Sequence, residues 1–147
     1  AALTDLVFKK AKEDYDQRLE LLKEKAYPII ENVYLNQGSM FKMIQVPFTD
    51  GTKTMTIVTD LKEAYETKCE SLITDFEKNI SLAIIDENWK THLREMDDLR
   101  RSSQGAVYEQ KDPLVIYKQK SFYLFSEMVD KVNKEIVSFL YKGEIPA

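Results

Sequence analysis

The chain has 147 residues, 44% of them hydrophobic and 31% charged, and 21 basic against 25 acidic side chains give a net charge of −4. That balance describes a folded, helix-rich chain and lacks the basic excess with which nucleic-acid binders neutralise phosphates. The longest uncharged apolar run, Ile80–Ile85, falls far short of the roughly 20 residues that span a bilayer. Asp5, Lys9 and Lys10 argue against a signal peptide, and a single cysteine, Cys69, allows no intramolecular disulfide.

From Leu3 to about Ala26, apolar residues recur at three- and four-residue steps (Leu3, Leu6, Val7, Ala11, Tyr15, Leu19, Leu22), which predicts an amphipathic helix. Tyr27-Pro28 is expected to interrupt it, because proline lacks the backbone donor and disfavours a helical residue before it. A short second helix, Ile29 to Leu35, should follow and end at Asn36-Gln37-Gly38-Ser39. The period then falls to two. Phe41, Met43 and Gln45 alternate with Lys42, Ile44 and Val46, and β-branched residues fill Thr52 to Thr59. Asp50-Gly51 between these runs predicts a β-hairpin with a positive φ in its turn. A lone hairpin is marginal in water, so this one must lie against another element.

Asp60 reads as a helix N-cap, with Glu63 completing a capping box. From Leu61 the helical period runs through Tyr65, Cys69, Leu72, Phe76, Ile80, Ala83, Ile85, Trp89, Leu93, Met96 and Leu99 without Gly or Pro. This predicts one helix of about forty residues, roughly 60 Å long. Ser102-Ser103-Gln104-Gly105 ends it. Asp112-Pro113 opens the next helix, aspartate accepting from the orphan amides and proline taking the first turn. Its Val115, Phe122, Val129 and Ile136 stand at sevens with Phe125, Val132 and Phe139 between them, the spacing of an antiparallel helix-hairpin seam. Gly143 is the expected stop. Leu124, Met128, Val137 and Leu140 make the apolar face wider than one partner covers. A bundle with the N-terminal helix would account for that width, and so would a surface made for a larger body.

Groups that could carry chemistry are few. His92, the single histidine, stands beside Trp89 and Leu93 on the long helix, where a structural role outweighs that of a base; a small hydrolase would have to use it. Cys69 lies on an apolar helical face and reads as buried filler. One histidine and one cysteine fit no metal pattern, so no metal site is expected. The four glycines, Gly38, Gly51, Gly105 and Gly143, build no phosphate-binding loop of the G-x-x-x-x-G-K-[ST] type, so nucleotide hydrolysis by this chain is not expected. Between Arg100 and Lys120, Arg100, Arg101, Lys111, Lys118 and Lys120 face only Glu109 and Asp112. That excess is either ordinary surface scatter or part of a tip where Tyr108 offers an amphipathic contact tolerant of many polypeptide sequences.

Two stretches resemble the SecA family of preprotein translocase motors. Asp86 to Arg100, with Trp89, His92, Leu93, Met96, Asp97 and Arg100, is similar to the family's D-x-x-W-x-x-H-L-x-x-M-D-x-L-R. Tyr108, Gln110, Lys111, Asp112, Pro113, Tyr117, Lys118 and Phe122 match Y-x-Q-K-D-P-x-x-x-Y-K-x-x-x-F, and the gap between the two motifs fits without insertion. The N-terminal Tyr15-Asp16-Gln17-Arg18 more loosely resembles the end of the family's helical wing. The tip departs from the family: Ser102-Ser103-Gln104-Gly105-Ala106-Val107 stands where many members carry G-I-H-L-R-G.

The expected fold is mainly α: the resemblance implies a long antiparallel two-helix finger after an N-terminal helix, while the segment from about Lys25 to Glu77, with its small β-hairpin, departs from the family pattern and reads as a branch-specific insertion. It divides the chain into the end of the wing (1–24), an inserted segment with the hairpin and the start of the long helix (25–77), and the finger of the helical scaffold (78–147). The family's finger reaches the cytoplasmic opening of the SecYEG channel, a tip tyrosine (here Tyr108) contacts the preprotein, and the helices pack on the motor domains and restrain their ATPase. By that resemblance the chain is a non-catalytic fragment without cofactor, in a parent using ATP and magnesium at the inner face of the cytoplasmic membrane. The alternative is a purely structural helical scaffold or coiled-coil module.

Overall fold

A computed structural model describes residues 2–105 and 112–146. Its elements are α1 (Ala2–Gln37), β1 (Met43–Thr49), β2 (Thr54–Asp60), α2 (Leu61–Glu66), α3 (Glu70–Ser103) and α4 (Pro113–Lys142). The chain forms two compact units, Ala1–Ile80 with Phe139–Ala147, and Ser81–Ser138. The mainly helical architecture and the small hairpin are as the sequence predicts; three local details differ.

In the first unit α1 is unbroken, with Pro28 inside it. Proline in a helix interior costs about 3 kcal/mol, but packing on both sides outweighs that here. Leu22, Ala26 and Ile30 are buried, and Tyr27 and Tyr34 stack on Tyr65 with ring centroids 6.2 and 4.4 Å apart. The helix therefore passes straight through residues 24 and 25.

The hairpin pairs Met43 with Asp60 through to Thr49 with Thr54. Its turn is longer than the two-residue form: Asp50 Oδ1 accepts from the amides of Thr52 (2.9 Å) and Lys53 (2.8 Å), and Gly51 holds φ +92°. Val46, Phe48, Ile57 and Thr59 form its buried face. Phe48 stacks on Phe76 of α3 at 4.3 Å, and Thr59 Oγ1 donates to Asp75 Oδ2 at 2.8 Å. The hairpin thus leans on a helix, as an isolated pair of strands must.

Asp60 caps α2 by accepting from the Glu63 amide. The expected forty-residue helix is split at Thr67–Cys69, where Lys68 and Cys69 take φ of 53° and 69°. No glycine or proline announces this break. It lets the short α2 bury Leu61 and Ala64 while α3 buries Leu72 and Phe76 and the fully buried Cys69 sits between them. Burial raises the Cys69 thiol pKa, with Lys23 opposing.

At its C-terminal end α4 closes this unit. Phe139 is buried near Phe76. The helix ends just before Gly143, where a side chain would meet the Phe139 carbonyl at 2.9 Å and the Phe76 ring at 3.2 Å, so the close approach requires glycine there. Tyr141 donates to the Ala11 carbonyl (2.6 Å), and Tyr15 donates to Glu77 Oε2 (3.0 Å). Burial, then the Glu77 carboxylate, raises the Tyr15 pKa. Thr49 and Glu144 form an antiparallel bridge, while Arg18 and Lys25 donate to the carbonyls of Gly143 and Ile145.

The second unit is a helix pair. Asn88 of α3 meets Glu135 of α4, and His92 meets Phe125, so the two run antiparallel. Of the predicted α4 seam, Val132, Ile136 and Phe139 are half-buried or buried, while Val115, Phe122, Phe125 and Val129 are exposed. Ile84, Asn88, His92 and Leu99 are buried on α3, whereas Ile85, Trp89 and Leu93 are exposed. On α4, Ser121, Leu124 and Met128 are half-buried while Phe122, Phe125 and Val129 face outward.

Candidate functional site

The residues singled out by sequence lie on the helix pair and at its tip. Tyr108, Gln110 and Lys111 fall outside the described residues. Asp112 and Pro113 build the start of α4: Asp112 Oδ1 accepts from the Leu114 amide at 2.9 Å, its carbonyl accepts from the Ile116 amide, and Pro113 takes the first turn, where no donor is needed.

On α3, His92 is 6% exposed. Its ring centroid lies 5.4 Å from that of Trp89 and 6.0 Å from that of Phe125, the latter edge-to-face, and Nδ1 finds no partner among the described residues. One turn away, Asn88 Nδ2 donates both to the Ile84 carbonyl (2.8 Å) and to Glu135 Oε2 (3.0 Å). Lys131 stands 3.7 Å from the other Glu135 oxygen. Asn88, His92, Lys131 and Glu135 line a groove of about 510 Å³ that also touches Thr91, Glu95, Leu124, Glu127, Met128, Asp130 and Lys134.

That arrangement fixes two helices more readily than it performs a reaction. A buried amide that donates to a carboxylate on the facing helix favours one register of the pair, because a slip would break that bond while the amide stays buried. A general base needs a nucleophile within hydrogen-bond reach. Among the described residues no serine or cysteine lines the groove, and the one hydroxyl there, that of Thr91, donates to the Glu87 carbonyl. No group of three or more metal-ligating side chains forms among the described residues.

Most of the remaining motif residues are exposed in whole or in part. Trp89 (44% exposed) and Leu93 (49%) continue a ridge with Leu82 and Ile85, and Phe122 (73%) stands out from α4 with Val115, Phe125 and Val129. Met96 and Tyr117 are half-buried, and Lys118 is exposed. Asp97 pairs with Arg100 at 3.7 Å and Asp98 with Arg101 at 3.9 Å, one turn apart on the exposed end of α3. The structure therefore joins Trp89 and His92 with Phe125, and leaves Leu93, Asp97, Arg100, Lys118 and Phe122 outside that cluster.

Asn88 and Glu135 are the pair that sequence reading missed. Their signal was spacing rather than hydropathy: Asn88 stands four residues from both Ile84 and His92, and so shares their face. Among the described residues no helix is long and apolar enough to cross a membrane.

A family model described as SecA Wing and Scaffold domain matches residues 2–144. The protein translocase subunit SecA of Christiangramia forsetii is 55% identical over 141 residues, covering 96% of this chain and 13% of that protein. The protein translocase subunits SecA of Flavobacterium psychrophilum (54%) and Parabacteroides distasonis (46%) align over 144 residues, 98% of this chain and 13% of theirs. The chain thus spans about an eighth of the length of these relatives, and the matched span includes the hairpin segment 25–77. No solved structure matches it.

Proposed function

Because the chain belongs to the SecA wing and scaffold domain family, we propose that it is the wing-and-finger portion of a protein-exporting motor and works as a lever rather than a catalyst. The helix pair of the second unit is the finger. Its tip meets the SecYEG channel and the preprotein through Tyr108, and its outer faces pack on the motor domains that use ATP and magnesium at the inner face of the cytoplasmic membrane. Residues 1–24 belong to the wing, 25–77 to an inserted segment and 78–147 to the finger.

The observation that carries this reading is the outward ridge on the helix pair. Trp89, Leu93 and Phe122 belong to the family motifs, yet the first two are about half exposed and Phe122 lies largely in water, while polar Asn88 and His92 are buried. Large apolar side chains exposed on both helices of a pair are the material of an interaction site. A lever needs such a surface to receive force from a second body. The Asn88–Glu135 lock serves the same end by keeping the two helices in register under load.

The test is cysteine crosslinking from Tyr108→Cys of the full-length motor to a preprotein stalled in translocation. The lever reading expects a strong ATP-dependent crosslink. Its absence, with crosslinking intact from control positions in the motor domains, would leave a purely structural scaffold as the better account.

A further inference from the structure

We propose that Arg18, Lys25 and Thr49 are positioning residues that strap the end of α4 to the first unit, which makes the hairpin the anchor of the finger's second helix. All the contacts lie inside the first unit. Their importance for transport rests on the lever reading, because a lever needs a fixed root.

Helix α4 ends at Lys142, and residues 143–146 leave it without helical structure. Segments of that kind fray unless something ties them down. Here three successive carbonyls each accept a bond from another element: Gly143 from Arg18 Nη2 (3.1 Å), Glu144 from the Thr49 amide (2.8 Å) and Ile145 from Lys25 Nζ (2.9 Å). The Glu144 amide returns a bond to the Thr49 carbonyl at 2.8 Å, and the Ile145 side chain is buried. Two of the three donors are charged, and charge-assisted bonds are about twice as strong as neutral ones.

The sequence prepares this grip. Arg18, Leu22 and Lys25 stand at i, i+4 and i+7, so they share one face of α1. Leu22 is buried, while the cations on either side of it in that row reach the backbone of Gly143 and Ile145. The hairpin adds a second hold. Phe48 of β1 stacks on Phe76, which lies near Phe139, and Lys53 of the turn stands 5.8 Å from the centroid of the Phe139 ring. The hairpin thus meets the last turns of α4 through Lys53 and the segment beyond them through Thr49.

The first test is amide hydrogen exchange on the 147-residue chain. Arg18→Met with Lys25→Met keeps both stems and removes both donors. Exchange at Gly143 and Glu144 should quicken about tenfold or more, with Asn88 and His92 unmoved and the circular dichroism melt still cooperative. Should the double variant melt early, Lys25→Met alone carries the same comparison. The second test closes the strap covalently. A pair that exchanges both bonds holds its Cα atoms about 5.5 Å apart, within a disulfide's span, so Thr49→Cys with Glu144→Cys should oxidise readily. Added to the methionine variant, that oxidation should restore slow exchange. In the full-length motor the methionine variant should slow preprotein transport several-fold, and oxidation of the motor carrying all four substitutions should restore it. The oxidised cysteine pair alone should transport at the parental rate. The proposal fails if exchange at Gly143 and Glu144 stays as it was, if the cysteines do not pair, or if the methionine motor transports normally. It fails equally if the oxidised motor stalls, since the strap would then have to open. A lost Tyr108 crosslink in the parent motor would instead remove the lever reading, and the exchange result would still decide the strap.

Discussion

Lys68 and Cys69 hold left-handed backbone at the joint between α2 and α3, and neither residue type favours it. An L-residue in this region costs about 1–2 kcal/mol, which glycine avoids at the expense of some unfolded-state entropy. Lys68 is exposed and takes part in no ion pair among the described residues, so Lys68→Gly should raise the unfolding free energy by about 0.5–1 kcal/mol in urea melts. Cys69→Gly is no equivalent test, because it would empty a fully buried position. This joint could not be read from sequence. The helical period of Leu61, Cys69, Leu72 and Phe76 is unbroken, and only tertiary burial of both short and long helix explains the turn between them. Asn88 was legible in principle, since its four-residue steps to Ile84 and His92 place it on the buried stripe. Hydropathy alone discards an asparagine.

At the scale of elements, the hairpin was legible because its signals are local: alternation, β-branched residues and Asp-Gly. Asp50 does more than tolerate the turn. The backbone amides of Lys53 and Thr52 hold its carboxyl below the ordinary carboxylate range. A carboxyl with a lowered folded pKa gives its full support at and above the ordinary carboxylate pKa and loses it as pH falls through the lowered value. The Thr52 and Lys53 amides should therefore lose protection and shift on acidification through that window, while Asp50→Asn, whose side chain still accepts but does not titrate, should show a flat profile. Amide NMR between neutral pH and strong acid distinguishes the two. Pro28 shows the limit of local signals. Proline predicts an end to α1, but Ala26, Ile30 and the stacked Tyr27, Tyr34 and Tyr65 hold the helix together from outside it.

At the scale of the molecule, α4 serves two units and carries more apolar surface than either uses. The sevens at Val115, Phe122, Val129 and Ile136 were visible in sequence, and Val132, Ile136 and Phe139 are covered as expected, but toward the start of α4 the covered face lies one residue away, at Ser121, Leu124 and Met128. Choosing between the two faces requires the partner's stripe, and that stripe contains Asn88 and His92, which pattern reading ranks below Trp89 and Leu93. Two phenylalanines on this one helix separate what the fold needs from what the surface offers. Phe139, buried near Phe76 with Lys53 over its ring, should cost about 3–5 kcal/mol when replaced by alanine. Phe122, largely in water, should cost no more than about 0.5 kcal/mol in the same urea melts of this chain. In the full-length motor the order changes, because the proposed lever reading places Phe122 against another body. Phe122→Ala should there slow preprotein transport several-fold while the melting of the isolated chain stays as it was. Equal transport by the variant and the parent motor would mean that the ridge faces water in both settings, and force would then have to reach the finger through the first unit alone.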